Sequence, residues 1–554
     1  MDTIAQDITA EDIASAELLM GVDYTPEERA LMVDTFEGQI AAALQLRAVH
    51  FDNAEPMACR FDPRLPGFVM PDAKDDLRWS DAKVDPLPDN DEDIAFAEVT
   101  RLSGWIAQGA LTSRRLCEIY LERIERLGPQ LECMATVTAE LALAQADAAD
   151  RLIAEGQYLG PLHGIPYVVK DLFDTAGITT GWGAEPFQDR VPDRDATVVV
   201  RLRDAGAVLL GKAAVGALAY NDIWYGGRSR NPWNLNEGSS GSSAGSASAT
   251  AAGLCGFSIG TETLGSITSP SQRCGTTGLR PTYGRVPRTG AMALCWSMDK
   301  IGPICRSVED TGLVLAAING ASSEDPSSIG AGLHCDMSKG IDGLRVGFLP
   351  EAFGAGATSV DHAALDAVRG LGAEVIELSL PDLPYNALMN VLYAEGAAAF
   401  QDLTLDGRDD LLTWQDAAAW PNVFRRARFL SAVDHVQLDR LRWKVMHAVD
   451  ALFAQVDILI GPFNTGPMLV ASNFTGHPCL HMRAGFFETT TRAPGGFGGG
   501  RVQIPTACAD GKAFRVPQGI SLWGKLFDEG SLLRLGAALE AALACHSERP
   551  SFPS

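Results

Sequence analysis

The chain has 554 residues, 46% hydrophobic and 21% charged, and its 45 basic and 70 acidic side chains give a net charge of −25. That balance excludes a wholly disordered or coiled-coil chain, and so acidic a surface repels phosphate backbones, so nucleic acid is not an expected partner. No run of about 18 apolar residues occurs, the first residues form no basic-then-apolar leader, and eleven cysteines include no Cys-x-x-Cys pair, which together read as a cytoplasmic enzyme without membrane contact.

Thr9 and Thr25 stand as N-caps before periodic segments. Thr25-Pro-Glu-Glu28 spells a capping box with Pro26 at the first helical position, so helices are expected near 10–20 and 26–47. Residues 63–93 are rich in proline and aspartate and carry no period. Residues 1–90 therefore read as a helical extension and wrap, and 91–554 as the main domain. Beyond Ile94, amphipathic spacing predicts helices from Ser113 and over Thr138–Glu155.

Helix and strand patterns then alternate. Ala196–Ala205 precedes the strand Ala207–Leu210, His362–Leu371 precedes Glu374–Leu378, and Leu344–Phe348 and Asp457–Ile460 also read as strands. Gly206 and Gly372 stop their helices. The stretch 384–455 reads as mostly helical, with its arginines on a solvated face, and Ser531–Cys545 as a terminal helix. This alternation predicts an α/β fold: a single large domain with a central mixed, mostly parallel twisted β-sheet covered by helices, plus the N-terminal helical extension.

Glycine makes up 56 residues, and the surplus concentrates at two places. One is Gly495–Gly500, a loop that reads equally as a lid or as a surface excursion. The other is the serine-rich stretch 237–266. A serine-rich turn opening a helix brings several hydroxyls and backbone N–H groups to one spot. Gly241-Ser-Ser-Ala-Gly245 fits the Gly-x-Ser-x-Gly elbow around Ser243, but that elbow needs a preceding strand and Asn231–Glu237 reads as a loop. Ser297-Met-Asp-Lys300 fits Ser-x-x-Lys, but no Lys-Thr-Gly follows it. The pair His477 and His481 has helical metal-binding spacing, but Pro478 holds His477 extended.

Ordered motifs covering roughly 94–545 resemble the amidase signature family, which includes glutaminase subunits of tRNA-dependent amidotransferases. They are Gly160-Pro-Leu-His-Gly-Ile-Pro-Tyr-Val-Val-Lys-Asp171, Gly241-Ser-Ser-Ala-Gly-Ser246, Gly260-Thr-Glu-Thr-Leu-Gly-Ser266, Gly278-Leu-Arg-Pro-Thr-Tyr-Gly-Arg-Val286, Asp299-Lys-Ile-Gly-Pro303 and Asn473-Phe-Thr-Gly-His-Pro478. The resemblance implies Ser266 as nucleophile, Ser242 as bridging serine after a cis peptide bond, and Lys170 as base. The backbone N–H groups of Thr263, Leu264, Gly265 and Ser266 are the implied oxyanion donors, with Ser243, Ser246 and Glu262 in support. Physical chemistry asks the same of these residue types. Serine needs a base to take its proton, and lysine serves only when burial lowers its pKa of about 10.4. The apolar run Tyr167-Val-Val169 suits that burial.

The implied activity is hydrolysis of a small-molecule amide through an acyl-enzyme, with no metal or cofactor. A homodimer is compatible with it. Two other readings stand beside it: a glutaminase-type subunit of a tRNA-dependent amidotransferase, and a non-catalytic binding protein on the same scaffold. Three residues depart from the family pattern. Leu264 replaces a glycine, which implies strain if the position needs φ > 0 and bulk beside the nucleophile in any case. Glu262 replaces aspartate, and Thr268 stands where arginine is frequent. Asp171 and Asp174 are expected to support the lysine segment, and Trp182 and Trp224 to pack in the core or on the surface.

Overall fold

The computed structural model of the chain describes residues 8–80, 84–492 and 511–552. The glycine run 495–500 lies outside the described residues. The two N-terminal helices have the expected bounds: α1 spans Ala10–Met20 and α2 spans Pro26–Arg47, each opened by a reciprocal capping box, Thr9 with Asp12 and Thr25 with Glu28. Gly21, left-handed at φ 66, ends α1, and Arg29 clamps Glu17 through bonds of 2.9 and 2.6 Å. The chain then runs irregularly over the main body. The Asn53 side chain exchanges bonds with Ala293 (N at 2.7 Å, O at 2.8 Å), and Asp76–Arg78 pairs in parallel with His334–Asp336.

Eleven strands build the main sheet: β1 (Met134–Val137), β2 (Pro166–Lys170), β3 (Val208–Ala213), β4 (Phe257–Glu262), β5 (Thr277–Arg280), β6 (Lys300–Cys305), β7 (Arg345–Phe348), β8 (Glu374–Glu377), β9 (Ile458–Gly461), β10 (Cys479–Thr489) and β11 (Phe514–Gly524). Their spatial order is β8-β7-β9-β11-β10-β5-β6-β4-β2-β3-β1. Every residue of β2 to β6 is buried, which is why they read as continuous small and apolar runs without clean alternation.

The sheet is mixed, as expected, but not mostly parallel. Among the described residues four neighbouring pairs are parallel and six antiparallel. Parallel pairing is confined to the blocks β8-β7-β9 and β4-β2-β3, where helices cross between strands. The centre is antiparallel: β5 returns to β6 through a non-helical connection, and the eleven-residue strands β10 and β11 pair at ten positions, with a bulge between Arg483 and Gly485. Helix–strand alternation reports crossovers, and it was weakest where the chain makes these direct returns.

Helices cover both faces around a core that runs from Ile94 to Leu539. They include α3 (Ser113–Leu131), α4 (Ala139–Ala154) and α5 (Thr197–Asp204), close to the expected bounds. No helix among the described residues is long and apolar enough to cross a membrane. All ten cysteines among the described residues are free, and Cys59 alone of them is exposed.

Candidate active site

Strand β2 delivers Lys170 into the interior. Its Nζ lies within hydrogen-bonding distance of three hydroxyls, Ser242 Oγ at 2.8 Å, Thr261 Oγ1 at 2.8 Å and Ser243 Oγ at 3.1 Å. Burial pushes the lysine pKa well below its ordinary 10.5, although the charges of Asp299 and Glu262 act the other way. No carboxylate bonds the amine among the described residues, so the neutral form is the one this environment favours.

The serines come from the segment before helix α6 (Ala244–Ala251). The stretch expected as a loop folds as a short hairpin: Asn234–Gly238 is a strand paired with Arg230–Asn231. The chain turns at Ser240, left-handed at φ 60, and the Gly241–Ser242 peptide is cis. Gly241 has no room for a side chain, because a Cβ there would lie 1.8 Å from the Asn221 carbonyl oxygen. Ser242 and Ser243 are both buried. Ser243 is no exposed elbow: its Oγ meets Lys170, accepts from Thr261 N (3.2 Å) and donates to Thr261 O (3.1 Å). Ser246 lies a turn further along and donates to the Ile259 carbonyl at 3.2 Å, tying α6 to β4.

Ser266 sits in the turn between β4 and α7 (Thr268–Cys274). Glu262, the last residue of β4, holds that turn from beneath. It accepts from Ile267 N and Thr268 N, both at 2.9 Å, and from Thr268 Oγ1 at 3.0 Å. It also pairs with Arg280 at 2.7 Å and takes a bond from Asn473 at 3.0 Å. Burial works against its charge, but Arg280 and the Thr268 amide hold its pKa down to about 2. Thr268, in the position where arginine is frequent, thus serves as a ligand of Glu262.

Within the turn, Gly265 is left-handed at φ 83, while Leu264 is not among the left-handed residues, so the strain expected at Leu264 is absent. Thr263 is anchored through its Oγ1 to Asp299 at 2.6 Å, and its carbonyl accepts from Lys300 at 3.4 Å. The Leu264, Gly265 and Ser266 amides bond no acceptor among the described residues, which leaves them available as donors. Ser243 N donates to Ser266 O at 3.1 Å, joining the two serine segments. Ser266 Oγ is bonded to no described residue, and no hydrogen bond links it to Ser242. It faces a cavity of about 310 Å³ walled by Leu264, Met389, Leu392, Tyr393, Trp420 and, at the rim, Arg426. The Arg426 guanidinium lies 5.6 Å from the Tyr393 ring centre and is exposed.

The Amidase family model matches residues 115–533. The chain belongs to the amidase signature family. It is 35% identical over 482 residues to the A subunit of the glutamyl-tRNA(Gln) amidotransferase of Roseiflexus sp. (strain RS-1), covering 81% of this chain and 96% of that one. It is 32% identical to the same-named protein of Pseudomonas savastanoi pv. phaseolicola, covering 82% and 99%. Among solved structures, the peptide amidase of Stenotrophomonas maltophilia superposes with a TM-score of 0.69 at 28% identity, covering 83% of this chain and 99% of that one. A chain of a vestigial protein complex, described for the evolutionary origins of an s-triazine catabolic enzyme, gives 0.70 at 28%, covering 82% and 100%.

Within this family member, other residues singled out in the sequence go elsewhere. Asp171 does not meet Lys170: it lies 3.8 Å from Lys212 and accepts from Gly181 N. Asp174 pairs with Arg190 at 2.7 Å. Trp182 packs on Phe187, and Trp224 donates to the Glu132 carbonyl. His477 and His481 bond Thr475 and Ser521 on an extended segment, and the described residues hold no group of three or more His, Cys, Asp or Glu placed for a metal. Ser297 bonds Glu395 and Arg442 rather than pairing with Lys300. Thr261, Asp299 and Lys300 lay within the quoted motifs but were given no role at the site, yet they flank the turn. Strand alternation was the available signal for Thr261, which shares a face with Ile259 and opposes Glu262.

Proposed function

We propose that the chain hydrolyses the C–N bond of a small-molecule amide through Lys170, Ser242 and Ser266. The observation that carries this is the buried Lys170 amine 2.8 Å from Ser242 Oγ, beside a turn that opens Ser266 to a cavity. Neutral Lys170 takes the Ser242 proton as Ser242 takes that of Ser266, and Ser266 Oγ attacks the amide carbonyl. The Ser242–Ser266 contact forms with substrate bound, since such bonds are often long or misaligned in empty sites. The free amides of Leu264, Gly265 and Ser266 receive the developing oxyanion, one such donor being worth about 3 kcal/mol. The relayed proton passes to the leaving nitrogen, the C–N bond breaks, and water releases the acyl group as a carboxylic acid.

The cavity narrows the substrate class. Its walls are largely apolar, with one cation, Arg426, at the rim, which suits an apolar acyl group carrying an anion at its far end. Mass detection of an acyl group on Ser266, across an amide and ester panel, tests the reaction. The expected result is an adduct that Ser266→Ala abolishes; full activity in that variant overturns the reading.

A second reading is a glutaminase-type subunit that hands ammonia to a partner. The likeness to amidotransferase A subunits, over nearly their full length, favours it. Copurification with further subunits, with glutamine hydrolysis dependent on them, is its signature. Failure of a fluorophosphonate to label Ser266 in folded protein would instead mark a binding protein on this scaffold.

A further inference from the structure

A second cavity, of about 130 Å³, adjoins the one that Ser266 faces, and the two share Ala219, Thr263 and Leu294 as walls. Its inner end is Thr261, whose hydroxyl accepts from Lys170. Its outer wall comes from the irregular segment 54–61, including Met57, Cys59 and Phe61, which lies N-terminal to the stretch matched by the family model. That segment is pinned. Asn53 is clasped by Ala293, Arg60 donates to the Pro326 carbonyl at 2.5 Å, and Phe61 lies beneath the Arg442 guanidinium at 3.5 Å.

The chemistry sorts the two cavities. In acyl transfer to Ser266, the leaving nitrogen must collect the proton held by Ser242 and Lys170. The amine half of the substrate therefore lies on the lysine side, where Thr261 is a wall. The acyl half lies against Leu264 and Ser266 in the larger cavity. A cavity of roughly 150 Å³ holds one benzene ring, so by size the smaller chamber, whose walls mix Leu172, Met292 and Leu294 with the charged Arg288 and Asp299, takes a substituent of about that size.

We propose that this chamber is the subsite for the amine half of a secondary amide, and that residues 54–61 limit that half to about one six-membered ring. The inference rests on the amidase reading above. The reaction is then amide plus water to carboxylic acid plus an aryl or alkyl amine, the hydroxyl of water going to the acyl carbon and its remaining proton to the nitrogen.

The test compares one acyl group, hexanoyl, as primary amide, anilide and 2-naphthylamide, before and after alkylation of exposed Cys59 with N-ethylmaleimide. Anilide turnover is expected, with the naphthylamide at least tenfold poorer. Alkylation should lower anilide kcat/KM at least tenfold and leave the primary amide, whose ammonia needs no chamber, within twofold. The Cys59→Ser protein should ignore the reagent. Met57→Trp, which fills the chamber without chemistry, should reproduce the anilide loss. Absent anilide turnover, a naphthylamide as good as the anilide, or equal loss on both amides each overturns the subsite. Fluorophosphonate labelling of Ser266 in the same samples then shows whether the amidase reading falls with it.

Discussion

Lys170 Nζ stands 2.8 Å from Ser242 Oγ, and both side chains are buried. The amine is surrounded by hydroxyls and a carbonyl and bonds no carboxylate among the described residues, so burial lowers its pKa against only the more distant charges of Asp299 and Glu262. A lysine in that state can act as a base below pH 10.

Lys170→Met should lower kcat/KM by about 10²–10⁴, the range for loss of a general base. In the parent protein activity should fall as pH drops through the depressed Lys170 pKa, because protonation removes the base. Steady-state rates across pH 5 to 11 check both. Activity that appears only above the ordinary lysine value of 10.5 contradicts a lowered pKa.

Glu262→Gln should destabilise the fold by about 3–5 kcal/mol, because it leaves the Arg280 guanidinium buried without its charge partner. The carboxylate's pKa is about 2 folded against 4.5 ordinarily, so its contribution is present above pH 4.5 and lost as pH falls through about 2. Urea midpoints from pH 7 to 2 should therefore fall less steeply in the variant. Parallel curves would show that the Glu262 charge contributes nothing.

Leu264→Ala should extend the acyl range. Leu264 walls the Ser266 cavity and is not left-handed, so the change opens space without relieving backbone strain. Acyl groups longer by one or two carbons should gain about tenfold in kcat/KM, near the lower end of what one methylene is worth in a pocket. Unchanged selectivity places the acyl group elsewhere.

Asp310 gives a prediction at the alkaline side. It is fully buried, and it accepts from Val99 N at 2.8 Å and Thr100 N at 3.1 Å. Burial, with Glu98 nearby, raises its pKa from 3.8 to about 7. Its contribution to stability is present below pH 3.8 and lost as pH rises through about 7. Asp310→Asn should flatten the decline in urea midpoint between pH 4 and 7; an unchanged slope means Asp310 does not titrate there.

Much of this was legible in the sequence where chemistry is local. Thr9 and Thr25 announce their helices because capping is a three-residue affair. Tyr167-Val-Val169 announces a buried strand, so the burial of Lys170 followed. What depends on distant pairing was not legible. No alternation marks β5 or β6, and neither they nor β10 and β11 are among the strands read from the sequence, so the antiparallel centre went unseen. Asp171 misleads by adjacency: beyond the end of β2 it turns toward Lys212, whose pKa burial lowers. The chamber wall at Met57 and Cys59 lies between the second helix and the aperiodic stretch 63–93, where the sequence drew no reading, and nothing local ties it to Thr261, some two hundred residues on.

The central claim is that Ser266 becomes acylated with help from Lys170. Intact-protein mass spectrometry after a fluorophosphonate pulse, with peptide mapping, tests it most directly. One equivalent on Ser266 is expected, lost in Ser266→Ala and slowed at least a hundredfold in Lys170→Met. Labelling on another serine, or labelling of Ser266 at the parent rate in Lys170→Met, would contradict it.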